Sequence, residues 1–302
     1  MTPRHFLDLA GLAPETLRAI IDEAHRLKAE GRTPRDTLRG RTLALLFEKP
    51  STRTRFSFDV AMRQMGGDTI VASGSELQLG RGETMGDTAA VLSRYVDAVM
   101  IRMLSHEGLT EFAQHASVPV INGLTRRSHP CQIVADLLTI EERLGALCER
   151  TIAWVGDGNN VLSTFLEAAP LANFAMRIAS PEAFALPAGR IEAARDAGAS
   201  VETTMDPREA VAGADVVVTD AWCSMGDDDE EHRRRVFAPY QVNEALMAAA
   251  APGAIFLHCL PAHRGEEVTD AVMDGPRSAV FDEAENRVHA QKAILAFVFG
   301  AL

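Results

Sequence analysis

The sequence predicts an α/β fold with two lobes, each a parallel sheet flanked by helices, joined by long connecting helices. Two observations support this prediction. Short apolar runs alternate with helical patterns along the whole chain, and those runs are uninterrupted, as in strands buried on both faces. The 302 residues are enough for two hydrophobic cores. With 47% hydrophobic and 24% charged residues, the composition is that of a globular protein.

The first half of the chain begins with a helix predicted over residues 14–30. Pro14 stands near its start, apolar residues share one face, and Gly31 follows its end. Strands are predicted at 42–47, 69–72, 98–101 and 118–121, with helical patterns between them. A long helix from Pro130 to Gly145 has the length and position of a connector between the lobes.

The second half repeats the alternation of strands and helices. Strands are predicted at 152–155, 176–179, 201–203, 216–219 and 255–258, with a short one near 279–281. The final segment has helical spacing and is expected to pack on the first lobe. The predicted domains are therefore residues 1–145 and 146–284, with 285–302 as a C-terminal helix that packs back on the first domain.

Charge and cysteine content narrow the class of protein. The net charge of −12 argues against a nucleic-acid partner, which would need a basic face. The four cysteines are scattered and form no C-x-x-C pair, which favours a reducing compartment. No signal peptide is visible, and no run reaches the ~18 apolar residues that span a bilayer. We therefore expect a cytoplasmic protein without a membrane partner.

Residues 47–55 are electrostatically unusual. They connect a predicted strand to a predicted helix, with Ser51 as the expected N-cap. Arg53 and Arg55 then fall in the first helical turn, where the helix dipole is already positive and acidic residues are normally found. Free N–H groups, hydroxyl groups and two guanidinium groups at this point predict a phosphate site. The alternative is a surface arginine pair neutralised by carboxylates such as Glu48.

Open α/β sheets bind ligands beyond the carboxyl ends of their strands, and this rule selects the candidate segments. The segments that follow predicted strands are 51–55, Arg102, 122–129, 156–160, 220–225 and 258–264. They are also the most unusual polar clusters in the sequence, so we expect one ligand-binding cleft between the two lobes.

The glycine-rich segment 156–160 raises the alternative of a nicotinamide dinucleotide site. The third glycine of the G-x-G-x-x-G motif is missing, because Val161 follows Asn160. The next strand ends in Ser180 and Pro181 rather than in an acidic residue that would bind a ribose. The cofactor is therefore disfavoured, and the asparagines either bind a small polar ligand or form a turn.

Residues 258–264 raise the alternative of a metal site. The candidate zinc ligands are Cys259, His258, His263, His129 and Cys131. None of these residues has the usual ligand spacing, and an isolated Cys259 would most often be a small buried side chain. We expect neither a metal nor a cofactor.

Four motifs together resemble one known family. Residues 47–55, Phe-Glu-Lys-Pro-Ser-Thr-Arg-Thr-Arg, resemble the carbamoyl-phosphate motif of the aspartate/ornithine carbamoyltransferase family. Residues 129–132 (His-Pro-Cys-Gln), 220–226 (Asp-Ala-Trp-Cys-Ser-Met-Gly) and 258–261 (His-Cys-Leu-Pro) resemble motifs of its ornithine branch. The resemblance runs from about residue 2 to residue 302, with the motifs in the family's order.

This resemblance implies a carbamoyl-phosphate-binding first domain and an ornithine-binding second domain. The residues implied for carbamoyl phosphate are Ser51, Thr52, Arg53, Thr54, Gln78, Arg102, His129, Pro130, Cys131, Gln132, Cys259, Leu260 and Arg287. Those implied for L-ornithine are Asn160, Asp220, Ser224 and Met225. Catalytic roles are implied for Arg53, Arg102, His129, Gln132, Asp220 and Cys259. Gln78 would reach the site of a neighbouring subunit, which implies a homotrimer or a multiple of trimers.

The implied reaction transfers a carbamoyl group to the side-chain amine of L-ornithine, giving L-citrulline and phosphate in arginine metabolism. Negative charge develops on the carbonyl oxygen and on the departing phosphate, so fixed cationic donors suit this chemistry. An amine with a pKa near 10.4 must lose its proton first, which costs about 4–5 kcal/mol at neutral pH. The ornithine motifs disfavour aspartate and putrescine as acceptors. The rival functions are a catalytically silent paralogue with the same fold and a dehydrogenase, and the direction of metabolic flux stays open.

Overall fold

The structure of the chain is a computed structural model that describes residues 3–31, 35–74, 82–223 and 229–302. The chain divides into two compact units. Unit 1 comprises Met1–Leu138 and Asn286–Leu302, and unit 2 comprises Thr139–Glu285. The predicted fold class is confirmed: each unit is a parallel sheet flanked by helices.

The described part of unit 1 contains a four-stranded parallel sheet in the order β2-β1-β3-β4. Its strands are β1 Thr42–Phe47, β2 Asp68–Ser73, β3 Ala98–Arg102 and β4 Val120–Leu124. Its helices are α1 Pro14–Ala29, α2 Thr52–Gln64, α3 Met85–Leu92 and α4 His106–His115. The central strands β1 and β3 are almost entirely buried, which explains their uninterrupted apolar sequences.

A fifth helix, α5 (Pro130–Leu144), begins in unit 1 and ends in unit 2. Among the described residues of unit 2, five parallel strands form a sheet in the order β7-β6-β5-β8-β9. They are β5 Thr151–Val155, β6 Ala175–Ala179, β7 Val201–Thr204, β8 Val216–Thr219 and β9 Ile255–His258. The helices of unit 2 are α6 Asn160–Ala172, α7 Ala188–Asp196, α8 Pro207–Val211, α9 Glu230–Phe237, α10 Glu244–Met247 and α11 Asp270–Met273.

The last helix, α12 (Val280–Val298), leads from unit 2 back into unit 1. The strand predicted at 279–281 is therefore wrong. Ser278 makes only an isolated bridge to Phe256, and Val280 already begins the helix. Two acidic residues in the first turn, Asp282 and Glu283, favour a helix start there because they complement its dipole.

Parallel pairing brings the carboxyl ends of all strands in a sheet to the same edge. In unit 1 that edge carries the residues that follow Phe47, Arg102 and Leu124. In unit 2 it carries the residues that follow Val155 and Thr219, together with those after His258. The described residues of the segments selected from the sequence thus lie at the carboxyl edge of the sheet in their own unit.

Candidate active site

The start of helix α2 carries the unusual arginine pair. Ser51 occupies the N-cap position with extended backbone, but its side chain makes no capping hydrogen bond. The first turn contains no acidic residue, and Arg53 and Arg55 are both exposed. Neither arginine forms an ion pair with a carboxylate in the described ranges, and Glu48 instead accepts the backbone N–H of Leu104 at 2.6 Å. Positive charge therefore gathers at a helix N-terminus that is already positive.

Thr54, in the same turn, is the centre of a buried polar cluster in unit 1. Its hydroxyl accepts hydrogen bonds from Arg102 at 3.3 Å and from Arg287 at 3.5 Å. Arg287 also donates to the side-chain oxygen of Gln132 at 2.5 Å, and the amide of Gln132 donates to Asp136 at 2.7 Å. Strand β3 and helices α2 and α12 thus each contribute one side chain, and α5 contributes two, to a group in which only Arg102 is partly rather than fully buried. We call this group the Thr54 cluster (Thr54, Arg102, Gln132, Asp136 and Arg287).

His129 lies directly before α5 and is buried. Burial lowers its pKa well below the usual value of 6.5, and the positive charges of Arg287 and Arg102 lower it further. The imidazole is therefore neutral at physiological pH and can donate one hydrogen bond without adding a third positive charge.

The other members of this motif are buried as well. Pro130 is the first residue of α5, and the Cys131 thiol donates to the backbone carbonyl of Asn122 at 3.3 Å. Burial raises the pKa of Cys131 to about 12, so the thiol stays protonated and unreactive.

In unit 2, Asp220 is the polar centre. One of its carboxylate oxygens accepts from the Asn159 side chain at 2.7 Å, and the other accepts from the Cys259 thiol at 3.2 Å. The second oxygen also accepts the backbone N–H of Ala221 at 2.8 Å. Asn160, the first residue of α6, follows Asn159 and is partly exposed. Asp220 and Cys259 are both predicted site residues, and the structure places them in contact within unit 2.

The sequence predicts that Asn159 is either a ligand contact or a turn residue. In the structure it caps α6, because its side-chain oxygen accepts the N–H groups of Val161 and Leu162 at 2.9 and 3.2 Å. Its amide group meanwhile donates to Asp220. The available sequence signal was an asparagine placed immediately before a helix start.

The turn after strand β9 is fixed by buried partners that the sequence analysis missed. His258 is fully buried, and its Nδ1 accepts the backbone N–H of Leu260 at 2.9 Å. Because Nδ1 is an acceptor, Nε2 must carry the proton, and it lies 3.1 Å from the carboxylate of Glu267. The backbone N–H of His258 donates to Glu283 at 2.9 Å. Leu260 has a φ of 60° and precedes a cis peptide bond to Pro261.

Three of the predicted site residues, Gln78, Ser224 and Met225, lie outside the described residues. Two groups of side chains in unit 2 hold possible metal ligands within 4.8 Å of one another. They are Asp220, His258 and Cys259, and His263, Glu266 and Glu267. Nitrogen, sulfur and oxygen donors of these kinds can bind zinc, although hydrogen bonds already occupy Asp220 and Glu267. The expectation of no metal and no cofactor stays a prediction.

Comparison with known proteins defines the class of protein. Residues 4–142 match the family model described as the carbamoyl-P binding domain of aspartate/ornithine carbamoyltransferase. Residues 148–298 match the model described as the Asp/Orn binding domain of the same family. The chain belongs to the aspartate/ornithine carbamoyltransferase family.

Its relatives point to one branch of that family. The ornithine carbamoyltransferase of Rhodopseudomonas palustris is 59% identical, over 99% of this chain and 98% of that protein. The ornithine carbamoyltransferase of Caulobacter vibrioides is 56% identical, over 99% of both chains. Among solved structures, the enzyme of that name from Pyrococcus furiosus superposes with a TM-score of 0.95 at 46% identity, covering 100% of this chain and 98% of the other.

Proposed function

We infer that the chain transfers the carbamoyl group of carbamoyl phosphate to the side-chain amine of L-ornithine, giving L-citrulline and phosphate. The observation that carries this proposal is the cationic carboxyl edge of the unit 1 sheet. There, the arginine-rich start of α2 adjoins the buried Thr54 cluster and a neutral His129. The full-length similarity to ornithine carbamoyltransferases supports ornithine as the acceptor.

In unit 1, we assign the phosphate to the start of α2. The hydroxyl groups of Ser51 and Thr52, the buried hydroxyl of Thr54 and the guanidinium group of Arg53 suit a dianion better than any neutral ligand. The Arg53 guanidinium would stabilise the charge that gathers on the departing phosphate.

The carbamoyl group itself is assigned to the residues around Thr54. Arg102 and neutral His129 would donate hydrogen bonds to the carbonyl oxygen, on which negative charge develops during attack. Gln132 would bind the carbamoyl amide, and Arg287 holds Gln132 in place through their 2.5 Å hydrogen bond. Cys131 would contribute through its backbone, because its thiol is buried against Asn122.

In unit 2, we assign the amino acid to Asn160 and Asp220, together with Ser224 and Met225. The Asp220 carboxylate suits the α-ammonium group of ornithine, and its hydrogen bonds to Asn159 and Cys259 fix its orientation. Cys259 and Leu260 are proposed to bind carbamoyl phosphate as well. No covalent enzyme intermediate is required, because the nucleophile is the neutral amine of the substrate.

We also propose a homotrimer, or a multiple of trimers, in which Gln78 enters the site of a neighbouring subunit. The exposed apolar residues of unit 1 support an assembly. Ile70 on the edge strand β2 is 56% exposed, and Phe56 on α2 is 64% exposed. A solution mass of a trimer or its multiple is expected from light scattering, and a fully active monomer would contradict this part of the proposal.

We propose the cytoplasm as the compartment and arginine metabolism as the context. All four cysteines are free thiols, which suits a reducing environment. None of the described helices combines the length and the apolar character that crossing a bilayer requires.

The test is a citrulline assay with ornithine, aspartate and putrescine as acceptors. Ornithine should be turned over much faster than the other two, and equal rates with aspartate would reject the branch. Arg53→Ala should lower kcat/KM for carbamoyl phosphate by about 100-fold or more, as expected on removal of a transition-state donor.

Arg63→Ala is the matched control for that variant. Arg63 lies in the last turn of the same helix, is exposed and pairs with Asp59 at 3.0 Å. It should retain activity within about twofold, since surface ion pairs contribute little. If both variants lost activity equally, or neither did, the assignment of the phosphate to the start of α2 would be wrong.

A further inference from the structure

We propose that Arg233 is a positioning residue that fixes the loop leading to Asn160 and the loop carrying Asp220. This inference rests on the proposed function, because those two residues are assigned there to the amino-acid substrate. Arg233 lies on helix α9 in unit 2, and no motif in the sequence singled it out.

The guanidinium group of Arg233 contacts both loops directly. Its Nη2 lies 2.9 Å from the carboxylate of Asp157, in the loop that follows β5. Its Nε donates to the backbone carbonyl of Trp222, in the loop that follows β8, at 2.6 Å. One planar group, through two of its nitrogens, therefore connects the segments after two adjacent strands of the sheet.

The surroundings of Arg233 distinguish this contact from an ordinary surface ion pair. The side chains of Arg233 and Asp157 are only 12% and 15% exposed. The guanidinium carbon lies 4.5 Å from the ring centre of Phe184 and 5.3 Å from that of Phe237. A weakly hydrated guanidinium stacked on aromatic rings is held in one orientation, as a lysine ammonium would not be.

From Asp157 the restraint continues to the proposed site through short contacts. The backbone carbonyl of Asp157 accepts from the Trp154 indole at 3.0 Å and from the Asn159 backbone N–H at 2.9 Å. The side chain of Asn159 in turn donates to Asp220 at 2.7 Å. Loss of the guanidinium would release Asp157 and Trp222 together. The spacing between Asn160 and Asp220, which must match one amino acid, would then depend on the Asn159–Asp220 hydrogen bond without the support of Arg233.

The experiment compares steady-state kinetics of wild type with Arg233→Ala, Arg233→Lys and Asp157→Asn. Arg233→Ala should raise KM for ornithine by about 10- to 100-fold, as a misplacement near 1 Å would. KM for carbamoyl phosphate should change less than about twofold, because the groups assigned to its phosphate lie in unit 1. Arg233→Lys keeps the charge but not the planar fork or the stacking on the aromatic rings. Its KM for ornithine should therefore lie between those of wild type and Arg233→Ala.

Asp157→Asn should raise KM for ornithine in the same direction. The double variant should be no worse than Arg233→Ala alone, because both changes break the same contact. Arg234→Ala is the matched control: it removes an arginine from the next position of α9, but an exposed one that pairs with Glu230 and Glu266 at 3.1 Å. Its KM for ornithine should match that of wild type.

Several outcomes would overturn the inference. One is an unchanged KM for ornithine in Arg233→Ala, and another is an equal rise of KM for both substrates, which would indicate a general structural role. If Arg233→Ala does not fold, Arg233→Lys and Asp157→Asn decide the question by the same criteria.

If wild type binds ornithine in calorimetry but forms no citrulline, the proposed function fails. In that case the ornithine-binding constants of the variants still decide the role of Arg233. If wild type did not bind ornithine at all, both the proposed function and the role of Arg233 would be overturned.

Discussion

Replacing Glu283 with alanine is expected to destabilise unit 2 through the loss of its buried hydrogen bond to the backbone of His258. Glu283 is 1% exposed, and its carboxylate accepts the backbone N–H of fully buried His258 at 2.9 Å. Without it, a buried N–H loses its acceptor, which costs about 1–3 kcal/mol. We therefore expect a loss of about 1–3 kcal/mol in the free energy of unfolding.

Tryptophan fluorescence during urea denaturation measures this loss selectively. The chain has two tryptophans, Trp154 and Trp222, and both are buried in unit 2. With a denaturant slope of about 1–3 kcal/mol/M, the midpoint in Glu283→Ala should fall by roughly 1 M urea. Glu283→Gln keeps a side-chain oxygen as acceptor and should lose about half as much or less.

Glu285→Ala is the control, because it removes an exposed carboxylate from the same helix two residues further on. Its free energy of unfolding should stay within about 0.5 kcal/mol of wild type. If the midpoint in Glu283→Ala moved no more than in Glu285→Ala, the hydrogen bond to His258 would not support the turn after β9, and the reasoning would be refuted.

Three further predictions concern protonation, reactivity and helix capping. Burial and neighbouring guanidinium groups lower the pKa of His129 in the folded chain. Between this lowered pKa and 6.5, the imidazole is protonated in the unfolded chain but not in the folded one. The free energy of unfolding therefore falls as the pH drops below about 6.5. His129→Asn should therefore lose less stability than wild type between pH 7 and pH 5 in thermal melts, and an equal loss would contradict this. Cys148 is exposed whereas burial raises the pKa of Cys131 to about 12, so a thiol reagent at pH 8 should modify Cys148 and leave Cys131 intact in peptide mass spectra of the native protein. Ser105→Ala should cost about 1 kcal/mol in circular-dichroism melts, because the Ser105 hydroxyl caps α4 by accepting the N–H of Gly108 at 3.0 Å, and an unchanged melt would exclude that cap.

The strands were predictable because burial on both faces produces continuous apolar runs. Strand β4 shows the limit of that signal. The run from Val118 suggested an end at Ile121, but the strand extends through Asn122 to Leu124. A buried asparagine is tolerated there because its side-chain amide donates to the backbone carbonyl of Leu7 at 2.7 Å. A partner so distant in sequence leaves no periodic pattern.

The candidate site likewise contains residues that could be predicted from the sequence and residues that could not. Polar residues at strand ends, such as Arg102 and Asp220, could be selected by topology alone. Their supporting partners could not be selected in this way, because Glu267 and Glu283 look like ordinary surface acids in the sequence. Their importance appears only in the structure, where both form buried hydrogen bonds with His258. The function of the Arg53 segment could be proposed early because cations at a helix start contradict local electrostatics.

The chain order of the two units has a consequence for biosynthesis. Unit 2 is one uninterrupted stretch, Thr139–Glu285, whereas unit 1 needs Asn286–Leu302 as well. The Arg287–Gln132 hydrogen bond joins residues 155 positions apart. Domains generally fold as units during translation, so unit 2 can fold on the ribosome while unit 1 still lacks its final helical segment. A nascent chain therefore cannot form the Arg287–Gln132 hydrogen bond until the whole of unit 2 has been synthesised. The same holds for any carbamoyl-phosphate site that depends on this hydrogen bond.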